Sequence, residues 1–250
     1  MGTGPDMSGR SEGISFEDLY KVFSKPLADL DCGEKCGPYN DYGVPVCCDI
    51  QLLIPAAYDE EWTYLSKSTD LWHLWQGDQE GDFEDLQKSL QSGQVLLECL
   101  GHQRCQRPYR SITCRAFPFY PYLSSRGEFM GLAYYRDFRD QCWIISNLDA
   151  VRQDYIKEFQ GAYQRLFEIY PETWTGFLEF SAYMREQISK AGEDLILLGF
   201  SGIFYLVNPS TEEISEINAD DLESFGPFKI TKELVFPDEM KDSTTGKQHG

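Results

Sequence analysis

The sequence predicts an α+β protein in which a loop-rich region with clustered cysteines packs on a pair of amphipathic helices and a small antiparallel sheet. All eight cysteines lie between Cys32 and Cys142, and glycine and proline interrupt the first group of them. Those residue types favour turns over regular elements. Residues 151–191 instead carry apolar side chains every three to four positions, which is typical of helices. Residues 195–217 contain short apolar runs separated by turn residues, which predict strands.

The first elements follow from local signals. Residues 1–13 are rich in glycine and serine and predict a disordered leader. Ser15 is a typical N-cap, with Asp18 three positions later, so a short helix should lead to the first cysteines. Residues 50–54 form an apolar run that stops at Pro55 and predict a buried strand or extended segment.

The middle of the chain alternates helical spacing with irregular stretches. Residues 58–65 have helical spacing and an acidic first turn, and residues 83–90 return to that spacing. Residues 66–82 have no clean period and predict a loop. Residues 105–123 predict an irregular, aromatic-walled loop, because their prolines remove amide donors and clash with the preceding turn.

The second half predicts two helices and a hairpin. One helix covers residues 151–170 and stops at Pro171, and a second covers residues 174–191 with Gly192 as its C′ residue. Residues 201–202, Ser-Gly, lie between two apolar runs and predict a hairpin turn.

These signals divide the chain into four regions. The leader, residues 1–13, is followed by a cysteine-cluster region over residues 14–145. Residues 146–235 form the helical pair with its small sheet, which we expect to pack on the cysteine region. Residues 236–250 are polar and predict a loose tail.

Charge and hydropathy argue against several classes of function. The net charge of −19, from 22 basic and 41 acidic residues, argues against nucleic-acid binding through a general basic surface. The first residues lack an apolar run behind a basic start, and no long apolar window predicts a membrane span. The expected location is therefore the cytoplasm, where thiols stay reduced and cysteines serve in metal sites, redox chemistry or core packing.

The candidate metal ligands are Cys32, Cys36, Cys47, Cys48, Cys99, Cys105, Cys114 and Cys142. Thiolates favour zinc or iron–sulfur clusters, and four of them complete a tetrahedral zinc site or hold one cluster. Eight thiols allow two centres, or one centre with spare thiols. The leading set is one centre built by Cys32, Cys36, either Cys47 or Cys48, and Cys114. In an extended chain neighbouring side chains point to opposite faces, so Cys47 and Cys48 can share a metal only where the backbone turns.

Other residues near the cysteines have two interpretations each. The densest cationic group consists of Arg104, Arg107, Arg110 and Arg115. These arginines either offset thiolate charge or pair with acids at the surface. His102 is either an extra ligand or a hydrogen-bonding neighbour. An alternative interpretation of the eight cysteines is that they are ordinary buried residues of the core.

The cysteine spacing and one further segment form a specific pattern. It consists of Cys32 and Cys36 in C-x-x-x-C, the Cys47-Cys48 pair, and residues 110–119, RSITCRAFPF, behind two more cysteines. This pattern resembles the YkgJ-type cysteine-cluster proteins, in which a cysteine group ending in Cys-Cys precedes an R-P-x-x-C-R-x-[FY]-P-F segment. The resemblance covers about residues 30–145 and implies a zinc- or iron-chelating domain.

The sequence therefore predicts a cytosolic protein that binds zinc or iron, the iron as an ion or an iron–sulfur cluster. Flagellin lysine N-methylases resemble the same cysteine-cluster type, which implies an iron–sulfur-dependent protein-modifying enzyme as one alternative. The other alternative is a structural zinc protein whose acidic surface recruits a protein partner. The sequence lacks the common nucleotide-binding, metalloprotease and serine-hydrolase motifs, so it assigns no catalytic residue.

Overall fold

The computed structural model describes residues 15–77 and 90–229 and shows the predicted α+β class. The helices are α1 (Phe16–Val22), α2 (Cys32–Cys36), α3 (Asp59–Ser68), α4 (Ile112–Ala116), α5 (Gln153–Ile169) and α6 (Pro171–Ala191). The strands are β1 (Ala56–Tyr58), β2 (Trp72–Leu74), β3 (Gln94–Cys99), β4 (Phe119–Leu123), β5 (Phe129–Tyr134), β6 (Leu195–Leu198), β7 (Phe204–Val207) and β8 (Ile214–Ile217). In these ranges no helix combines the length and the apolar character needed to cross a membrane.

A small antiparallel sheet supports the cysteine-containing loops. Its strand order is β1-β3-β2, and β3 ends at Cys99, which pairs with Trp72 of β2. Helix α3 connects β1 to β2 and begins with three acidic residues, as its sequence predicts. This sheet therefore fixes the start of the second cysteine loop.

A larger antiparallel sheet joins the two halves of the chain. Its order is β4-β5-β6-β7-β8, and Leu132 of β5 pairs with Leu198 of β6. Strands β4 and β5 precede residue 145, whereas the other three strands follow it. The predicted hairpin is present as β6 and β7.

The helical pair agrees with the sequence prediction. Tyr170 separates α5 from α6, and Pro171 occupies the first turn of α6, where its missing N–H costs nothing. Gly192 ends α6 in the left-handed conformation with φ +69°, as expected of a C′ glycine. The Ser15 cap of α1 is also confirmed, since its Oγ accepts the Asp18 amide at 3.3 Å.

The core fills the space between the helical pair and the sheets. Tyr155, Phe159 and Leu166 of α5 are all buried in the main cluster. On its other side α6 packs on β4, where Ser181 Oγ accepts the Leu123 amide at 3.0 Å. The helical pair and the large sheet thus form a base of regular elements for the cysteine-containing loops.

Three local expectations were wrong. Residues 50–54 were expected to form a buried strand or extended segment, but residues 50–52 form a partly exposed turn, in which the Asp49 carboxylate accepts the Gln51 amide at 3.0 Å. Within the expected loop 66–82, β2 pairs with β3. Residues 105–123 include helix α4 and strand β4, and Pro121 fits in β4 because that strand pairs on one side only.

Three other expectations fall outside the part of the chain that the structure describes. They are the leader over residues 1–13, most of the helical spacing over residues 83–90, and the tail over residues 236–250.

Candidate metal centre

The eight candidate cysteines, all with free thiols, surround two adjoining cavities. The first cavity has a volume of about 730 Å³ and is lined by Cys32, Cys36, Cys47, Cys48, Cys114 and Cys142. The second cavity has a volume of about 110 Å³ and is lined by Cys47, Cys48, Cys99, Cys105 and Cys114. Within residues 15–77 and 90–229, no three His, Cys, Asp or Glu side chains are placed closely enough to hold a metal ion without further movement.

Helix α2 carries the first two thiols. Cys32 and Cys36 are four positions apart, so they share one face of this helix. Asp31 caps α2 by accepting the Gly33 amide at 3.0 Å, and Arg107 forms an ion pair with the same carboxylate. The ion pair therefore ties the helix that carries the first thiols to the second cysteine loop.

A tight turn places Cys47 beside Cys48. Val46–Cys48 is a 3₁₀ turn, in which successive side chains diverge by about 120° instead of the roughly 180° of a strand. The two Sγ atoms are 3.8 Å apart. Two thiolates on one tetrahedral zinc, each about 2.3 Å from the ion, would be separated by about 3.8 Å as well. The backbone therefore does turn at this pair, and the distance is compatible with a shared metal.

Cys142 reaches the first cavity from a distant part of the chain. It is buried and directly precedes the 3₁₀ turn Trp143–Ser146, which packs on α2. The Asn40 side-chain amide donates to the carbonyl of Gln141 at 3.2 Å. This contact fixes the segment of Cys142 against the first cysteine loop.

Strand β3 and helix α4 deliver Cys99 and Cys114. Cys99 Sγ accepts the Gly101 amide at 3.4 Å, directly after the end of β3. Helix α4 is capped by Ser111, whose Oγ accepts the Cys114 amide at 3.3 Å. The indole N–H of Trp72 donates to the carbonyl of Tyr109 at 2.7 Å and holds the intervening loop against the small sheet.

Among the four arginines predicted to lie near the thiols, Arg110 makes a direct contact with one. Its Nε donates to Cys105 Sγ at 3.1 Å, and its side chain lines both cavities. Burial opposes the charge of this guanidinium, but the bond to Cys105 and the negative charges of nearby thiolates raise the pKa of Arg110 overall. His102 also lines both cavities, so its predicted role as an extra ligand stays compatible with its position.

The other arginines mainly hold the loops. Arg107 pairs with Asp31, as described above. Arg115 donates to the carbonyl of Arg110 at 2.8 Å and lies over the ring of Tyr20 at 4.1 Å. Arg104 lies exposed in the 3₁₀ turn that starts at His102.

Burial and mutual charge control the ionisation of the thiols. Burial, reinforced by charge on Cys36, raises the pKa of Cys32 to about 11, and burial raises the pKa of Cys114 to about 12. The hydrogen bond between Cys47 and Cys48 lowers the pKa of Cys48 to about 7 and raises that of Cys47. The thiolate of Cys48 is therefore stabilised, whereas burial and the charge of neighbouring thiolates disfavour the ionisation of the other thiols. A bound divalent cation would relieve that opposition by balancing the charge.

Glu61 supports this region in a way that the sequence did not lead us to expect, since the residue was placed only in an acidic first turn. The side chain is fully buried, and its Oε1 accepts the Tyr20 hydroxyl at 2.6 Å and the Ile112 amide at 2.7 Å. Ile112 begins helix α4, which carries Cys114. A signal was present, because Glu61 lies four positions before the buried Leu65 and shares its face of α3.

Comparisons of the chain with protein-family models, with curated proteins and with solved structures find no match. The resemblance to the YkgJ-type cysteine-cluster proteins therefore stays a prediction from the cysteine pattern. The geometry of the two cavities is the basis for the functional proposal.

Proposed function

We propose that this protein is a cytoplasmic chelator of zinc or iron, with the iron held as an ion or as an iron–sulfur cluster. The eight clustered cysteines would be its ligands, and its partner would be the metal rather than nucleic acid or a membrane. One observation carries the proposal: all eight free thiols, drawn from segments up to 110 positions apart, line two adjoining cavities. A thiolate metal site requires that the fold bring several cysteine side chains together at one place.

The donor set fits a soft metal. Thiolates select zinc and iron–sulfur clusters, whereas magnesium and calcium take oxygen ligands. When bound, zinc would cross-link the loops or act as a Lewis acid, and a cluster would carry single electrons. Closing a four-sulfur shell requires further side-chain movement from the placement described above. The paired sulfurs of Cys47 and Cys48 offer the starting point for it.

Ordinary core packing explains the arrangement less well. A core thiol packs against apolar side chains, yet Cys105 accepts a charged hydrogen bond from Arg110 at 3.1 Å. A cation inside a cavity lined by neutral thiols also has a desolvation cost, which thiolate partners would offset. Arg110 therefore favours a site in which some of the sulfurs are ionised.

Metal analysis of the full chain tests the proposal. The protein would be purified under strict anaerobiosis and analysed for zinc, iron and acid-labile sulfide together with its visible absorption. We expect stoichiometric metal: a brown protein indicates an iron–sulfur cluster, and a colourless one with zinc indicates a zinc site. Replacement Cys114→Ser should lower the metal content, because it removes a ligand that lines both cavities.

The conservative change Thr113→Ser is the matched control. It lies beside Cys114 on the same short helix, and serine keeps the hydroxyl that donates to the Ala56 carbonyl at 2.8 Å. Full metal content is expected for this variant. A wild-type chain that holds neither zinc nor iron, and that takes up neither when supplied, would contradict the proposal.

A second candidate function is the modifying enzyme implied by the resemblance to flagellin lysine N-methylases. The size of the first cavity, about 730 Å³, favours it, because that volume exceeds what a single metal ion occupies. Transfer of a labelled methyl group to lysine side chains of a protein substrate would support this candidate. The structural zinc alternative predicts instead that a bound basic protein partner leaves the zinc content unchanged.

A further inference from the structure

We propose that the eight cysteines form two separate four-thiol centres, an inference that rests on the proposed metal-binding function. The first centre consists of Cys32, Cys36, Cys142 and one thiol of the adjacent Cys47–Cys48 pair. The second centre consists of Cys99, Cys105, Cys114 and the other thiol of that pair.

The division of the cavities is the first argument for two centres. Cys32, Cys36 and Cys142 line the first cavity but not the second. Cys99 and Cys105 line the second cavity but not the first. A single centre would have to draw sulfurs from both of these groups into one shell. Two centres leave each group in the cavity that it already lines.

The supporting elements divide in the same way. The first group lies on α2 and on the 3₁₀ turn Trp143–Ser146, which pack on each other, and Asn40 ties the two segments together. The second group lies at the end of β3, in the following loop and on α4, which are joined through Trp72 and the small sheet. Each set of thiols is therefore positioned by its own framework.

The three cysteines that line both cavities are assigned by the elements that carry them. Cys114 lies on α4, directly after the loop that holds Cys105 and Arg110, and this framework assigns it to the second centre. Cys47 and Cys48 line both cavities with their Sγ atoms 3.8 Å apart, so the pair supplies one thiol to each centre.

The Cys47–Cys48 pair lies at the boundary between the two centres. Both of its thiols line both cavities, and their Sγ atoms are 3.8 Å apart. This separation suits one shared ion or two ions on either side of the pair. The positions of the other thiols favour two ions, because five of them line one cavity only: Cys32, Cys36 and Cys142 the first, and Cys99 and Cys105 the second.

The two centres differ in access. The first cavity, of about 730 Å³, leaves room for an external molecule beside the metal, whereas the second, of about 110 Å³, holds little more than the ion and its ligands. Open positions characterise exchangeable and catalytic metal sites, and closed shells characterise structural ones. We therefore expect the first centre to exchange its metal rapidly and the second to retain it.

Anaerobic titration of the reduced full chain with cobalt(II) tests the division. Cobalt reports thiolate ligation by its sulfur-to-metal charge-transfer absorption, a readout independent of any activity. We expect the wild type to bind two equivalents. Cys142→Ser and Cys105→Ser should each lose one of the two, and the double variant should lose both. Thr113→Ser, the control used above, should keep both.

A measurement on the unmodified chain covers the case in which a buried cysteine variant fails to fold. A chromogenic chelator added to the cobalt-loaded wild type should remove the metal in two phases of one equivalent each. Saturation at one equivalent, or loss of all cobalt from either single variant with its circular dichroism unchanged, would overturn the two-centre inference while leaving the proposed function intact. Failure to bind cobalt, zinc or iron at all would overturn both.

Discussion

Arg110 is a charged side chain that lines both thiol-containing cavities. It keeps its charge at any physiological pH, and its Nε already donates to Cys105 at 3.1 Å. A tetrathiolate zinc site carries net negative charge, which a neighbouring guanidinium stabilises through hydrogen bonds to sulfur. This residue therefore links the charge of the cavities to the affinity for metal.

Removing that charge should weaken metal binding. We expect Arg110→Gln to lower the zinc affinity by about tenfold or more, a typical effect of losing a hydrogen-bonding partner of a ligand. Competition with a chromophoric chelator measures the change. Arg139→Gln is the control, because Arg139 pairs with Glu193 and lines neither cavity. Equal affinities for the two variants would show that Arg110 has no such role.

Glu61 should make stability depend on pH. Burial raises the pKa of Glu61 from its ordinary 4.5 to about 7. The folded protein therefore binds this proton more tightly than the unfolded chain. The stabilisation is complete below pH 4.5, is lost as pH rises towards 7, and changes little above that. Its size is roughly 3 kcal/mol, because a pKa that differs by one between the folded and unfolded chain corresponds to about 1.4 kcal/mol.

Replacement Glu61→Gln should remove this dependence. Glutamine keeps an oxygen to accept the Tyr20 hydroxyl and the Ile112 amide but does not titrate. Urea unfolding of chelator-treated protein at pH 5 and pH 8 should show the variant gaining stability relative to the wild type as pH rises. Thr63→Ser, a change of an exposed residue of the same helix that does not titrate, should give a constant difference. A constant difference for Glu61→Gln as well would refute the assignment.

The two long helices show which elements a sequence can predict. Their apolar spacing is set by the chain itself, and Pro171 and Gly192 mark their ends independently of the rest of the protein. Strand β4 was missed because Pro121 breaks an interior strand but not an edge strand, and edge position is a property of the assembled sheet. The turn at residues 50–52 was missed because the Asp49 carboxylate accepts a hydrogen bond from the Gln51 amide, a local contact that the apolar run does not indicate.

Replacement by alanine of two glycines, one at the end of α6 and one within α5, should change the stability of the protein in opposite directions. Gly192 has φ +69° and open space around it, so Gly192→Ala should cost about 1 kcal/mol through backbone strain alone. Gly161 lies within α5, and a Cβ there would meet only Val22 at an ordinary 3.8 Å. Gly161→Ala should therefore stabilise the protein by up to about 1 kcal/mol. Thermal or urea unfolding of both variants measures the signs, and equal signs would contradict this expectation.

At the scale of the whole molecule, irregular cysteine loops rest on a regular base. The sequence predicted that glycine- and proline-rich turns would gather the thiols, and all eight line adjoining cavities. It did not predict how they divide, because the directions of Cys47 and Cys48 depend on a tertiary turn that no local pattern specifies. The sequence therefore identifies the candidate ligands, but which of them lie together is determined only by the tertiary structure.

Metal removal should loosen the loops but not the base. We expect a chelator to accelerate amide exchange over residues 31–50 and 99–116, because thiol ligation would no longer tie these segments together. Helix α5 and strands β5–β7 should keep their protection, since they are held by apolar packing in the core and not by thiol ligation. Hydrogen exchange with mass spectrometry compares the two states, and uniform acceleration along the chain would contradict the expectation.

The pairing of β5 with β6 has a practical consequence for anyone who wants to isolate the cysteine region. A polypeptide that stops at residue 145 would lack β6, β7 and β8, and β5 would then expose a row of unsatisfied amides and carbonyls. An exposed strand edge of this kind pairs with strands of other copies of the chain and promotes aggregation. Truncated versions for expression should therefore extend beyond β8 through residue 229, because Leu222, Phe225 and Phe228 are buried in the core as well.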